Sequence, residues 1–237
     1  MSIEGKVAVI TGGEGPLGRA VTQRFLSKGA KVFVGWNSAE EWAEAKGLIP
    51  GEVKNRIADM RADLTQEDRV SELMNRAKQQ FGTIDLLLHM VGMFYAGKMV
   101  WETDTAVLEK LINVNLKSAF LCAKHAIQVM MEKKCGRIVF FPASVVITPK
   151  PRFGVYAVSK SGLISLTEAL REELKDTAIT VNSVMFSVLD TPKTRKMPHG
   201  EPEKHVKPSD VADFLTCLCS DECDALSGST LKLFGKL

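Results

Sequence analysis

The chain has 237 residues, 45% of them hydrophobic and 25% charged, with a formal net charge of +3. That near balance, without a basic stripe interleaved with aromatics, excludes nucleic acid as a partner. No apolar stretch approaches the roughly 20 residues that cross a bilayer, and the opening Met1-Ser2-Ile3-Glu4-Gly5-Lys6 lacks the features of a signal peptide, so no membrane partner and a cytoplasmic location are expected.

The first predicted element is a buried strand, Val7–Thr11, followed by the turn Gly12-Gly13-Glu14-Gly15-Pro16-Leu17-Gly18 and a helical pattern over 20–26. Strand, Gly-rich turn and helix together aim backbone N–H groups and a helix N-terminus at a phosphate. Further strands are expected over 31–35, 56–60, 85–90, 137–142, 180–185 and 230–234. They are apolar and unalternating, as in a sheet covered on both faces. Helical patterns lie between them, over 66–81, 103–131, 153–174 and 208–219, and the charged run from Glu40 to Lys46 reads as a solvated helix face. This alternation predicts an α/β fold: a single-domain, doubly wound parallel sheet of Rossmann-like form spanning residues 1–237. Residues 193–207, with Pro198, Pro202 and few apolar side chains, break the pattern and read as a short substrate loop over the strand ends.

Within the helix predicted over 153–174, Tyr156 and Lys160 stand four residues apart on one face. An ammonium beside a phenol favours the phenolate and is expected to lower the tyrosine pKa, which suits proton transfer near neutral pH. Ser144 is placed at the end of the strand over 137–142, Asn115 within the helix over 103–131, and Asp63 after the strand over 56–60. The five cysteines include Cys217-x-Cys219-x-x-x-Cys223, which has neither a Cys-x-x-Cys pair nor a nearby histidine. No metal is expected, and the cysteines read as buried free thiols.

Taken together, Thr11-Gly12…Gly18, Asp63-Leu64, Asn115, Ser144, Tyr156…Lys160 and Asp190-Thr191-Pro192 resemble the short-chain dehydrogenase/reductase family, in that family's order and from Lys6 to Gly235. The resemblance implies a catalytic tetrad of Asn115, Ser144, Tyr156 and Lys160. It also implies a nicotinamide cofactor held by Gly12, Gly15, Leu17, Gly18, Trp36, Asn37, Ser38, Asp63, Leu64, Val91, Gly92, Tyr156, Lys160 and Thr191. In these roles Tyr156 is the general acid, and Lys160 lowers its pKa and holds the nicotinamide ribose. Ser144 orients the substrate oxygen, and Asn115 positions a water that relays protons to Lys160. The implied partner is a small carbonyl or alcohol substrate. Apolar residues on more than one stripe of the helices containing 116–123 and 162–166 fit the self-association that the resemblance implies, as a homotetramer or homodimer.

The chain also departs from the family pattern. Pro16 replaces a glycine and removes one backbone donor. His89-Met90-Val91-Gly92 stands for Asn-Asn-Ala-Gly, and Phe186-Ser187 for Pro-Gly. These changes leave open a cofactor-binding regulatory module with weakened catalysis. The segment from Leu189 to Pro198, with Lys207-Pro208 and Ser227-Gly228-Ser229, resembles dihydropteridine reductase and its bacterial relatives, which leaves a dihydropteridine-type reductase as a further alternative. At the end of the second strand no acid stands near Trp36 to bond a ribose 2′-hydroxyl, and no Lys or Arg either. Asn37 and Ser38 offer donors to a phosphate. Trp36 could stack on the adenine, or pack with Trp42, and Asp63 caps the adenine pocket. On this footing NADP is expected over NAD.

Overall fold

The computed structural model describes residues 2–197 and 202–234. Its centre is a seven-stranded sheet of order β3-β2-β1-β4-β5-β6-β7. The strands are β1 Val7–Thr11, β2 Lys31–Trp36, β3 Ile57–Arg61, β4 Leu86–His89, β5 Cys135–Phe140, β6 Ala178–Phe186 and β7 Thr230–Leu233. Every pairing is parallel. The helices are α1 Pro16–Ser27, α2 Ala39–Gly47, α3 Glu67–Phe81, α4 Thr105–Ile112, α5 Ser118–Met130, α6 Gly154–Glu173 and α7 Pro208–Leu218.

Side-chain alternation along β1 explains the layering. Ala8 and Ile10 join one core with Val21 and Phe25 of α1 and Val211 and Leu215 of α7. Val9 joins the other, with Leu73 of α3, Leu121 of α5 and Leu163 of α6. Chain order reverses between β1 and β4, so their carboxyl ends part and open a crevice there.

Two of the differences in extent bear on the site. The helix predicted over 103–131 is divided by a π-helical turn, Asn113–Lys117, between α4 and α5. The strand predicted over 137–142 ends at Phe140; Pro142 has no N–H to continue the ladder. Ser144 therefore opens a separate 3-10 turn, Ser144–Val146, rather than ending a strand. Of the predicted substrate loop, residues 198–201 lie outside the described residues, and so does Gly235. No helix among the described residues is long and apolar enough to cross a membrane.

Candidate active site

The reactive end of the crevice is assembled from β4, α5 and α6. Lys160 is buried, and its Nζ donates to Phe141 O at 3.1 Å. Asn115 sits at the middle of the π-helical turn, fully buried. Its Oδ1 accepts from Met93 N at 2.6 Å, while its Nδ2 donates to Met93 O at 3.0 Å and Ser159 Oγ at 2.9 Å. Ser159 Oγ in turn donates to Tyr156 O at 2.8 Å. One hydrogen-bonded chain thus runs from the segment after β4, through Asn115, into the turn of α6 that carries Tyr156. Gly92 sits where these groups meet: a Cβ there would lie 2.8 Å from Lys160 Nζ and 3.2 Å from Asn115 Oδ1. Ser144 is half-buried, and its turn packs against α6. The structure therefore gathers all four residues expected to form the tetrad at one end of the crevice, although Asn115 spends its amide on protein partners.

The pKa expectation for Tyr156 is corrected. Burial pushes the phenol up to about 12, and burial pulls Lys160 down to about 8. The reason is that Lys160 directs its ammonium at Phe141 O, so loss of water dominates the phenol. A phenol with that pKa keeps its proton at neutral pH, which is the form a general acid needs. Phe94 stacks edge-on against Tyr156, with centroids 5.3 Å apart, and against Phe153 at 5.7 Å. This gives Tyr156 an apolar neighbour that the sequence reading missed.

The other end of the crevice is a small pocket lined by Gly12, Glu14, Trp36, Asn37, Asp63, Leu64 and Val91, among others. Gly18 presses α1 onto the glycine turn: a Cβ there would lie 2.3 Å from Gly12 O. Gly15 and Leu17 flank Pro16, which occupies the first position of α1. Its fixed φ suits that position, and the N–H it lacks is one of those a helix start leaves unpaired. Trp36 is half-buried, packs on the same core as Trp42, and donates Nε1–H to Asp59 Oδ1 at 2.9 Å. Asp63 is exposed, and its Oδ1 accepts from Thr65 N at 3.0 Å and Thr65 Oγ1 at 2.8 Å.

The backbone N–H groups of Asn37 and Ser38 do not stand free. Asn37 N donates to Glu14 Oε1 at 2.9 Å and Ser38 N to the same oxygen at 3.5 Å. Ser38 Oγ is the cap of α2, accepting from Glu41 N at 3.3 Å. Glu14 is thus a pocket residue that the sequence reading passed over, although it stands in the glycine turn itself. Its Oε2 is buried with no hydrogen-bond partner. A buried, unpaired acceptor beside a glycine turn and a helix N-terminus fits a dinucleotide bearing hydroxyls and a pyrophosphate. Thr191, expected near the nicotinamide, is buried and tied to Thr194: its N donates to Thr194 Oγ1 at 2.9 Å, and its Oγ1 accepts from Thr194 N at 3.1 Å.

The departures from the family pattern are absorbed by packing. His89 is buried, with Nδ1 3.0 Å from Thr11 Oγ1 and Nε2 3.0 Å from Ser118 Oγ. Burial and then the Lys160 charge lower its pKa to about 3, so it is a neutral bridge between β1, β4 and α5. Phe186 stacks on Phe141 at 6.3 Å and bridges to Ala143, beside Ser144. The cysteines are less buried than expected: Cys122 and Cys219 are buried, Cys217 and Cys223 half-buried, and Cys135 exposed.

A family profile described as short chain dehydrogenase matches residues 6–202. The chain belongs to the short-chain dehydrogenase family. It is therefore an NAD(P)-dependent oxidoreductase. Among relatives, it is 32% identical to a 3-oxoacyl-[acyl-carrier-protein] reductase FabG of Thermotoga maritima, over 100% of this chain and 99% of that protein. It is 30% identical to (+)-borneol dehydrogenase 1 of Salvia officinalis, over 98% and 94%. Among solved structures, a short-chain dehydrogenase/reductase from Serratia marcescens matches with TM-score 0.87 and 25% identity, over 98% of each chain. ElxO with NADP bound matches with TM-score 0.89 and 25% identity, over 96% of each.

Proposed function

We propose that this short-chain dehydrogenase reduces a carbonyl, or in reverse oxidises an alcohol, with Tyr156 as general acid and base. The observation that carries the reading is the convergence of buried Lys160, buried Asn115 and Gly92 beside Tyr156. A cofactor bound along the crevice supplies the hydride. Gly12, Gly15, Leu17 and Gly18 hold its pyrophosphate, with Trp36, Asp63, Leu64 and Val91 around its adenosine and Thr191 toward its nicotinamide. Tyr156 gives its proton to the substrate oxygen as charge builds there, and Ser144 orients that oxygen. Lys160 binds the nicotinamide ribose and offers a positive charge to the reacting phenol. Asn115 fixes the segment that presents Gly92 and Phe94. The aromatic pair Phe94 and Phe153 beside Tyr156 favours an apolar substrate flank.

Three finer points belong to this reading. The C-terminal resemblance puts a quinonoid dihydropterin in the first substrate panel, beside aryl and alicyclic ketones. Phe120 on α5 and Val158 on α6 are exposed at 51% and 56%. They favour a homodimer or homotetramer, which light scattering at micromolar concentration tests. Five cysteines without a disulfide favour a reducing compartment such as the cytoplasm, which cell fractionation tests. NADP over NAD is expected from the end of β2, and the likeness to the NADP-bound ElxO supports it.

The decisive experiment is Tyr156→Phe. General acid catalysis of this kind is worth about 10²–10⁴-fold in rate, so turnover on any accepted carbonyl should fall by that order. Cofactor affinity, read by calorimetry, should stay unchanged. Near-normal turnover of the variant would show that another group supplies the proton.

A further inference from the structure

We infer that Glu14 selects the cofactor, holding a carboxylate where the 2′-phosphate of NADP would lie and so favouring NAD(H). This rests on the reading that the crevice binds a nicotinamide dinucleotide. It reverses the preference expected from the residues at the end of β2.

In a Rossmann-like fold the ribose next to the adenine is met at the end of the second strand, and an acid there bonds its 2′-hydroxyl. Here that strand ends in Trp36 and carries no acid. The structure supplies one from elsewhere. Glu14 reaches across from the glycine turn and seats Oε1 on Asn37 N at 2.9 Å and Ser38 N at 3.5 Å. Its other oxygen, Oε2, is buried and unpaired, and the residue lines the same pocket as Trp36, Asn37 and Asp63.

That arrangement acts on the two cofactors in opposite directions. A ribose 2′-hydroxyl is a donor, and it satisfies an acceptor that otherwise stays buried without a partner. A 2′-phosphate is an acceptor and an anion. It would meet like charge at close range, and the two N–H groups that would receive it are already taken. The nearby cations do not reverse this. Arg19 donates Nε–H to Glu14 O at 2.7 Å, and its Nη2 is held by Glu41 O at 2.9 Å and Glu44 Oε2 at 3.0 Å. Arg61 donates Nε–H to Asn37 O at 3.2 Å from an exposed position, and with the Asn37 amide and the Ser38 hydroxyl it is what would argue for a phosphate.

The test is calorimetric titration of the full chain with NADH and with NADPH, for the wild type, Glu14→Gln, Glu14→Ser and Arg61→Ala. Matching circular dichroism spectra establish that the variants are folded, and two substitutions at Glu14 guard against failure of one. The wild type should bind NADH at least about tenfold tighter than NADPH, the scale of one unfavourable charge contact. Removing the charge at Glu14 should tighten NADPH by about tenfold and weaken NADH slightly, while Arg61→Ala leaves the ratio near its wild-type value. Tighter binding of NADPH by the wild type overturns the inference. So does a ratio unmoved at Glu14 but shifted at Arg61. If the wild type binds neither dinucleotide, the cofactor reading itself fails, and this inference with it.

Discussion

At the reactive end of the crevice, Asn115 and Lys160 are buried and hydrogen-bonded to backbone or to each other's neighbours; at the adenosine end, Asn37 and Asp63 are exposed and Trp36 and Glu14 are half-buried. The difference teaches where each job can reside. Proton transfer needs groups whose positions and pKa values are set by exclusion of water, so the reactive end carries buried polar side chains at a cost in stability. Choosing between two large ligands needs only a charge at the right edge of a pocket, so the adenosine end can be built from loop residues with little stake in the core.

If that contrast holds, substitutions at the reactive end and its floor should move stability by several kcal/mol, and those at the adenosine end hardly at all. The largest effect is expected at His89, under both ends. Its pKa in the fold is about 3, against about 6.5 unfolded. Between those values the unfolded chain binds the proton and the folded chain does not, so stability is full above pH 6.5 and is lost as pH falls. In urea unfolding from pH 7 to pH 4, the wild type should lose about 3 kcal/mol more than His89→Leu. At pH 7 the variant should itself be about 1–3 kcal/mol less stable, because Thr11 Oγ1 loses its partner. Parallel pH curves would show that His89 is charged or solvated in the fold.

Lys160 should show the opposite sign at neutral pH. Its folded pKa of about 8 lies below the usual 10.5. Below pH 8 both states are charged and the full desolvation cost is present; as pH rises toward 10.5 the folded lysine is neutral first and the cost is relieved. Lys160→Met should therefore stabilise the ligand-free protein by about 2–3 kcal/mol at pH 7, a gain that shrinks by pH 10. It should also weaken cofactor binding. Loss of stability at pH 7 would mean that the Phe141 O contact outweighs burial.

Asn115→Ala removes three hydrogen bonds and should cost about 1–3 kcal/mol in chemical unfolding, with turnover reduced through displacement of the segment bearing Gly92. Trp36→Phe gives the contrasting case. It removes one bond to Asp59 at the pocket edge and should change stability by less than about 1 kcal/mol. A larger cost at Trp36 than at Asn115 would erase the distinction between the two ends.

The sequence made the reactive end readable because its residues are close in chain or carried by regular elements. Tyr156 and Lys160 are one helical turn apart, and the β1 boundaries coincide with an unbroken apolar run. The strand expected over 137–142 lies two residues earlier, because apolar character continues to Phe141 while the ladder stops at Phe140, before Pro142. The adenosine end was less legible for a different reason. The residues beside the pocket in sequence lie along β2, whereas Glu14 arrives from another turn, 23 residues away from Asn37. The lowered tyrosine pKa failed likewise: four-residue spacing gives a shared helix face but not where the ammonium points, and that is fixed by Phe141 O, 19 residues before Lys160.

The central claim is that rate and cofactor choice are set at separate ends, with Tyr156 giving the proton. It is tested most directly by measuring kcat at saturating cofactor, and Kd for NADH and NADPH, on Tyr156→Phe beside Glu14→Gln. Tyr156→Phe should lose about 10²–10⁴-fold in kcat with both Kd values unchanged, whereas Glu14→Gln should shift the Kd ratio toward NADPH. A Tyr156→Phe enzyme that keeps near-normal kcat would contradict the account.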